Sequence, residues 1–102
     1  MSNWYIKECD SFELAEEICA NKSIGGFIIW PNPNNKSSLF YSTKIYDQSI
    51  QHKQILKTEE GMYHIVEENK TYPTLELVIL GARNSTRQEI NQHRQNNSGN
   101  LR

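Results

Sequence analysis

The side chains able to do chemistry in this sequence are few and unevenly placed. Between residues 36 and 57 stand Lys36, Lys44, Lys53 and Lys57 against Asp47, a surplus of three positive charges, with Ser37, Ser38 and His52 in the same stretch. Ammonium groups beside hydroxyls attract an anion, loosely and in a salt-sensitive way. Cys9 and Cys19 lie ten apart, with neither metal nor redox spacing. They read as buried thiols, and no disulfide framework follows. His64 sits on a strand near no paired carboxylate or cysteine, so no metal is expected, and His52 reads as an internal hydrogen-bonding residue. The chain has no nucleophile elbow, no His-Glu-x-x-His helix, no phosphate-cradling glycine-rich loop and no paired carboxylates at strand ends. Cys19 belongs to the apolar side of a helix, which does not suit nucleophilic work. No catalytic residue and no cofactor are therefore expected, and the chain reads as something other than an enzyme.

Those residues need elements to hold them. Asp10, with Glu13 three positions on, predicts a capped helix over about 11–20, in which Leu14, Ala15, Ile18 and Cys19 share one side and Glu13, Glu16 and Glu17 the solvated one. "FIIW", closed in by glycines and a proline, is a short buried strand, and "PNPNNKSS" is a loop by its turn chemistry. "LFYSTKIY" is a second strand with Phe40, Ser42 and Lys44 on one face and Leu39, Tyr41, Thr43 and Ile45 on the other. "IQHKQIL" alternates again as a third. "MYHIVEE" is a shorter strand with a weaker pattern. Leu75, Val78, Ile79 and Ala82 then follow helical spacing after Pro73 and Thr74.

From Arg83 onward the chain has two aliphatic residues in twenty, so a globular unit over 1–83 and a polar tail over 84–102, a frayed helix or disordered, are expected. The fold class is α+β, a central three-stranded antiparallel sheet flanked by two helices.

Length and charge narrow the class further. A chain of 102 residues is one domain with a modest core. Eleven basic residues against twelve acidic ones leave a net charge of -1, which excludes a general nucleic-acid binder. No apolar run approaches the roughly 18 residues of a membrane span, and the amino terminus has no signal-peptide core. A monomeric, intracellular protein, cytoplasmic or nuclear, is expected.

"WY" at residues 4–5, then "SFELAEEIC", "GGFIIW", "QHKQI", "GMYHI" and "YPTLELVI" together resemble the Src homology 2 (SH2) domain in order and spacing over about residues 4–82. Within that family the stretch from "FIIW" to "QHKQI" looks most similar to the amino-terminal SH2 domain of transcription elongation factors that bind the RNA polymerase II linker. The length is closer to a free-standing adaptor or to a bacterial or viral mimic. The resemblance implies a phosphotyrosine-peptide module, the phosphate on one side of the sheet and the following peptide residues on the other.

The arginine with which that family grips the phosphate falls here on Trp30, and a second basic residue falls on Phe12. An indole has one N–H donor and no charge, so it cannot replace charge-assisted bonds to a dianion. The resemblance places Lys36, Ser37 and Ser38 in the phosphate loop, Lys44, His52 and Lys53 around it, and Met62, Tyr63 and Ile65 at the pocket for later peptide residues. The expected partner is a protein or peptide ligand, tyrosine-phosphorylated or not, with neither nucleic acid nor membrane involved. Phosphotyrosine dependence is expected to be weak or absent. The alternative is a structural or assembly domain that keeps this fold and docks through another surface.

Overall fold

The computed structural model describes residues 4–46 and 48–99. Asp47, counted above against the lysines, lies outside them. Helix α1 covers Phe12–Ala20, followed by strands β1 (Phe27–Pro31), β2 (Ser38–Lys44), β3 (Ile50–Lys57), β4 (Tyr63–Ile65) and β5 (Thr71–Tyr72), and then helix α2 (Leu75–Gly99). The strands pair antiparallel in sequence order, so the sheet is a meander of five strands in place of the expected three. Of the two further strands, β4 lies within the expected strand "MYHIVEE" and joins the sheet, while β5 has only two residues and leaves no periodicity to read. A parallel bridge from Tyr5 to Ile29 lays the amino-terminal segment along the free edge of β1. Its bonds are Ile6 N–H to the Ile29 carbonyl (2.8 Å) and Ile29 N–H to the Trp4 carbonyl (2.7 Å).

The cap of α1 is Ser11, one residue beyond the expected Asp10. Ser11 keeps an extended backbone while its hydroxyl accepts from the Leu14 amide at 3.1 Å, the bond that ends a helix. Thr74 does the same for α2, accepting from the Leu77 amide at 3.2 Å.

Each helix covers one face of the sheet. Strand alternation sends Ile28 and Trp30 toward α1, where they pack with Cys9, Ala15 and Cys19. It sends Ile29 the other way, to Tyr41, Ile55, Ile65, Val78, Ile79 and Ala82 against α2. Because both faces are covered, β1 reads as an unbroken apolar run.

The boundary expected at residue 83 falls inside α2, which continues without a break to Gly99. Val78, Ala82, Thr86 and Ile90 recur every fourth residue and are all buried. A helix needs only this narrow stripe to stay docked, so two inward residues suffice amid an otherwise polar sequence. No helix among the described residues is long and apolar enough to cross a membrane.

Candidate functional site

On the α1 face, β1, β2 and β3 bring Trp30, Ser42 and His52 side by side. The β2–β3 register sets Ser42 directly opposite His52. Trp30 is 1% exposed. Its Nε1–H donates to the Ser42 hydroxyl at 2.8 Å. The Ser42 Oγ lies 2.6 Å from His52 Nδ1, and His52 Nε2 lies 2.9 Å from a carboxylate oxygen of Glu16 on α1.

Chemistry orients this chain. Indole can only donate, so Ser42 accepts from Trp30. With the imidazole hydrogen on Nε2, Ser42 gives its own hydrogen to Nδ1 and His52 donates to Glu16, and the chain closes inside the fold. Serine, histidine and carboxylate in sequence resemble a hydrolytic triad, but the Ser42 hydroxyl is wholly buried and already accepts from Trp30. No substrate carbonyl can reach it.

Phe12 covers the group from outside. Its ring meets the edges of Trp30 at 5.3 Å, Phe40 at 4.8 Å and His52 at 4.8 Å between centroids, while Trp30 and Phe40 lie 4.7 Å apart. These separations are those of favourable aromatic pairs. Phe12 itself remains 45% exposed and acts as the lid of an aromatic plug. The cleft beside it, about 450 Å³, is lined by Asp10, Glu13, Trp30, Asn32 and Phe40 among others. It contains two carboxylates and no cation, an arrangement that repels a dianion.

The residues expected around the phosphate divide among several places. Lys44 shares the face of Ser42, but its ammonium lies 3.1 Å from the Ala20 carbonyl and 3.2 Å from that of Lys22, at the carboxyl end of α1. That is a favourable position for a cation. Lys53 pairs with Tyr41 across the sheet and lines a groove beside Glu67 and Glu68, with Glu68 3.9 Å from its ammonium.

Ser38 is buried, and its hydroxyl receives Gln54 Nε2 at 2.9 Å and Asn32 Nδ2 at 3.3 Å. The 32–38 loop satisfies itself: the amides of Asn34 and Ser37 bond to the side-chain oxygens of Asn32 and Asn35, and those of Asn35 and Ser38 to backbone carbonyls of the same two residues. Lys36 and Ser37 line a separate small cleft of about 170 Å³ together with Leu39, Ile55, Lys57 and Tyr63. Of the expected apolar pocket, Tyr63 borders that cleft and Met62 donates its amide to the Thr58 hydroxyl. Ile65 is buried in the core.

The sequence reading missed Ser42, Glu16 and Phe40. The alternation of β2 already put Phe40 and Ser42 on one face, and a lone hydroxyl beside aromatics on a buried face signals a partner across the sheet. Nothing in the helical spacing of Glu16 pointed to His52. The two thiols are buried, and burial pushes the Cys19 thiol up to about 11, so neither is a ready nucleophile. Among the described residues no group of three or more histidines, cysteines and carboxylates is placed to hold a metal ion.

No family model matches this sequence, and no curated protein matches it. Solved structures do. The solution structure of the VAV1 SH2 domain complexed with a tyrosine-phosphorylated peptide from SLP76 is similar with a TM-score of 0.63 and 28% identity, over 74% of this chain and 51% of that one. The chain thus spans about half the length of that relative. The SH2 domain of the Monosiga brevicollis CRK/CRKL homolog is similar with a TM-score of 0.66 and 19% identity, over 78% of this chain and 72% of that one. Two helices flanking an antiparallel meander, with likeness to both of these solved domains, make this chain an SH2-like domain.

Proposed function

We propose that this SH2-like domain is a protein- or peptide-recognition module that does not depend on phosphotyrosine. The observation that carries the reading is the state of Trp30, which is buried under Phe12 with its only donor committed to Ser42. A phosphate with a charge of about -2 needs paired cations to leave water. At Trp30 it would meet an uncharged ring, a cleft edged by Asp10 and Glu13, and Glu16 beyond. Lys44 is engaged with α1, and Lys53 lines the neighbouring groove beside Glu67 and Glu68, with Glu68 3.9 Å from its ammonium.

Surface for an extended ligand remains across the sheet. A groove of about 430 Å³ runs from Phe12 and Phe40 past His52 and Gln54 to Val66. The Lys36, Leu39, Ile55 and Tyr63 cleft can take one apolar or aromatic side chain with an acidic neighbour. The VAV1 relative is complexed with a peptide, which supports a peptide as the ligand class here. The test is a titration with matched tyrosine and phosphotyrosine peptides. Comparable affinities are expected. Binding that requires the phosphate and disappears in Lys36→Ala would overturn the reading, because it would show lysine in the role of the missing arginine.

The same burial of Trp30 favours a second reading, an assembly domain that docks through another surface. A peptide library that yields no ligand on the sheet, while the folded domain still captures a partner through its helices, selects that alternative.

A further inference from the structure

Three of the four arginines in the sequence, Arg83, Arg87 and Arg94, line one cleft of about 400 Å³ between α2 and the Ile24–Gly26 turn. None of them belongs to the sheet face discussed above. At about 100° per residue their positions fall within about 40° of each other around the helix, and they rise about 6 Å and then about 10.5 Å along it. They form a single stripe. The facing wall is held firmly: Gly25 takes a positive φ of 91° and donates its amide to the Lys44 carbonyl at 2.7 Å, and Lys44 N–H returns to the Gly26 carbonyl at 3.0 Å.

Among the described residues no carboxylate lines the cleft. Arg83 lies over the Phe27 ring at 5.2 Å, and neither ion pair found among the described residues includes an arginine. Arg83 and Arg87, four apart, repel one another along the helix. An anion seated between them removes that repulsion and receives planar, two-pronged hydrogen bonds.

We infer that this cleft is a docking site for an acidic, extended protein segment. An extended chain advances about 3.3 Å per residue, so about six residues cover the distance from Arg83 to Arg94. Ile24, 40% exposed, offers an apolar contact for one aliphatic side chain between the acids. A single-stranded nucleic acid fits less well, because it needs aromatic faces for its bases and, among the described residues, no aromatic ring lines the cleft. A lipid surface is flat, and this site is concave. The inference does not rest on the reading of the sheet face, which lies elsewhere on the domain.

The experiment is fluorescence anisotropy at low salt with a labelled six-residue peptide of five glutamates and one central leucine. The comparison ligands are its glutamine counterpart, an oligothymidylate and anionic phosphatidylserine vesicles. The glutamate peptide is expected to bind, to weaken as salt is raised, and to lose about tenfold in affinity in the Arg87→Gln, Arg94→Gln double variant, whose circular dichroism should match the parent. Equal binding of the glutamine peptide, an unchanged affinity in the folded double variant, or tighter binding of the oligonucleotide or the vesicles each overturns it. If the double variant does not fold, adding the glutamate peptide to the parent while following the Arg side-chain NMR signals decides: shifts confined to Arg83, Arg87 and Arg94 uphold the site, and their absence refutes it.

Discussion

The indole N–H of Trp30 is turned into the sheet, onto the hydroxyl of Ser42 at 2.8 Å, and not outward to a ligand. That one bond converts a strand end into part of the core. It is extended by His52 and Glu16 into a chain that crosses from β1 through β2 and β3 to α1.

Restoring the missing cation should therefore not restore phosphate binding. In Trp30→Arg the guanidinium would lose a buried aromatic volume, a cost of about 3–5 kcal/mol for a large core ring, and would stand beside Asp10 and Glu13 under Phe12. Urea unfolding should show the loss, and a phosphotyrosine-peptide titration should remain flat. Gain of tight phosphopeptide binding in that variant would mean that the rest of the pocket is intact.

Removing the hinge of the polar chain should cost more than one ordinary hydrogen bond. Ser42→Ala leaves the Trp30 N–H and the His52 Nδ1 without their partner in a buried place, about 1–3 kcal/mol for each group stranded. The denaturant midpoint should fall in Ser42→Ala. In a double-mutant cycle with Trp30→Phe the two losses should be less than additive, because the donor that Ser42→Ala strands is then gone.

Phe12 is the exposed member of the aromatic plug. In a Trp4→Phe background, acrylamide should quench Trp30 poorly, and Phe12→Ala should make it accessible while leaving the fold intact. Free quenching before the lid is removed would contradict the burial seen here.

The thiols provide a pH test. The Cys19 pKa is raised by burial to about 11, so the folded form holds the neutral thiol where the unfolded chain has already ionised. Its contribution to stability is then complete below about pH 9, the ordinary value, and is lost as pH rises toward about 11. The urea midpoint should decline through that window, and Cys19→Ala should flatten the decline. A thiol reagent should modify Cys19 only as the protein unfolds.

The carboxyl-terminal half of α2 should matter to stability. Ile90 is 8% exposed and Thr86 is 1% exposed, so Ile90→Ala should lower stability by about 2 kcal/mol, at the small end of such truncations. A chain ending at residue 83 should melt well below the full one. If both behave like the parent, the unit does end near residue 83 and the polar segment is a tail.

Much of this architecture was legible residue by residue. Apolar alternation in "LFYSTKIY" assigned its two faces, helical spacing placed Leu75, Val78, Ile79 and Ala82, and "FIIW" stood out as a buried strand. Adjacent strand residues must point to opposite faces. That rule alone starts Lys53 and His52 from opposite faces, although both side chains line one groove. Strand β4 was legible only weakly, within "MYHIVEE", and β5 and the stripe of Thr86 and Ile90 were not, because so few residues carry too little pattern to exceed their polar neighbours.

By itself the sequence determined the order of the elements, the face of each strand residue, and the presence of a tryptophan where the resemblance puts an arginine. These are local matters, settled by the periods of helix and strand. Only the tertiary structure decided what that tryptophan does, because Ser42, His52, Glu16 and Phe12 reach it from β2, β3 and α1 through a register that no local pattern encodes. It also decided where the arginines gather, since Arg83, Arg87 and Arg94 face one cleft only when α2 packs beside the Gly25–Gly26 turn.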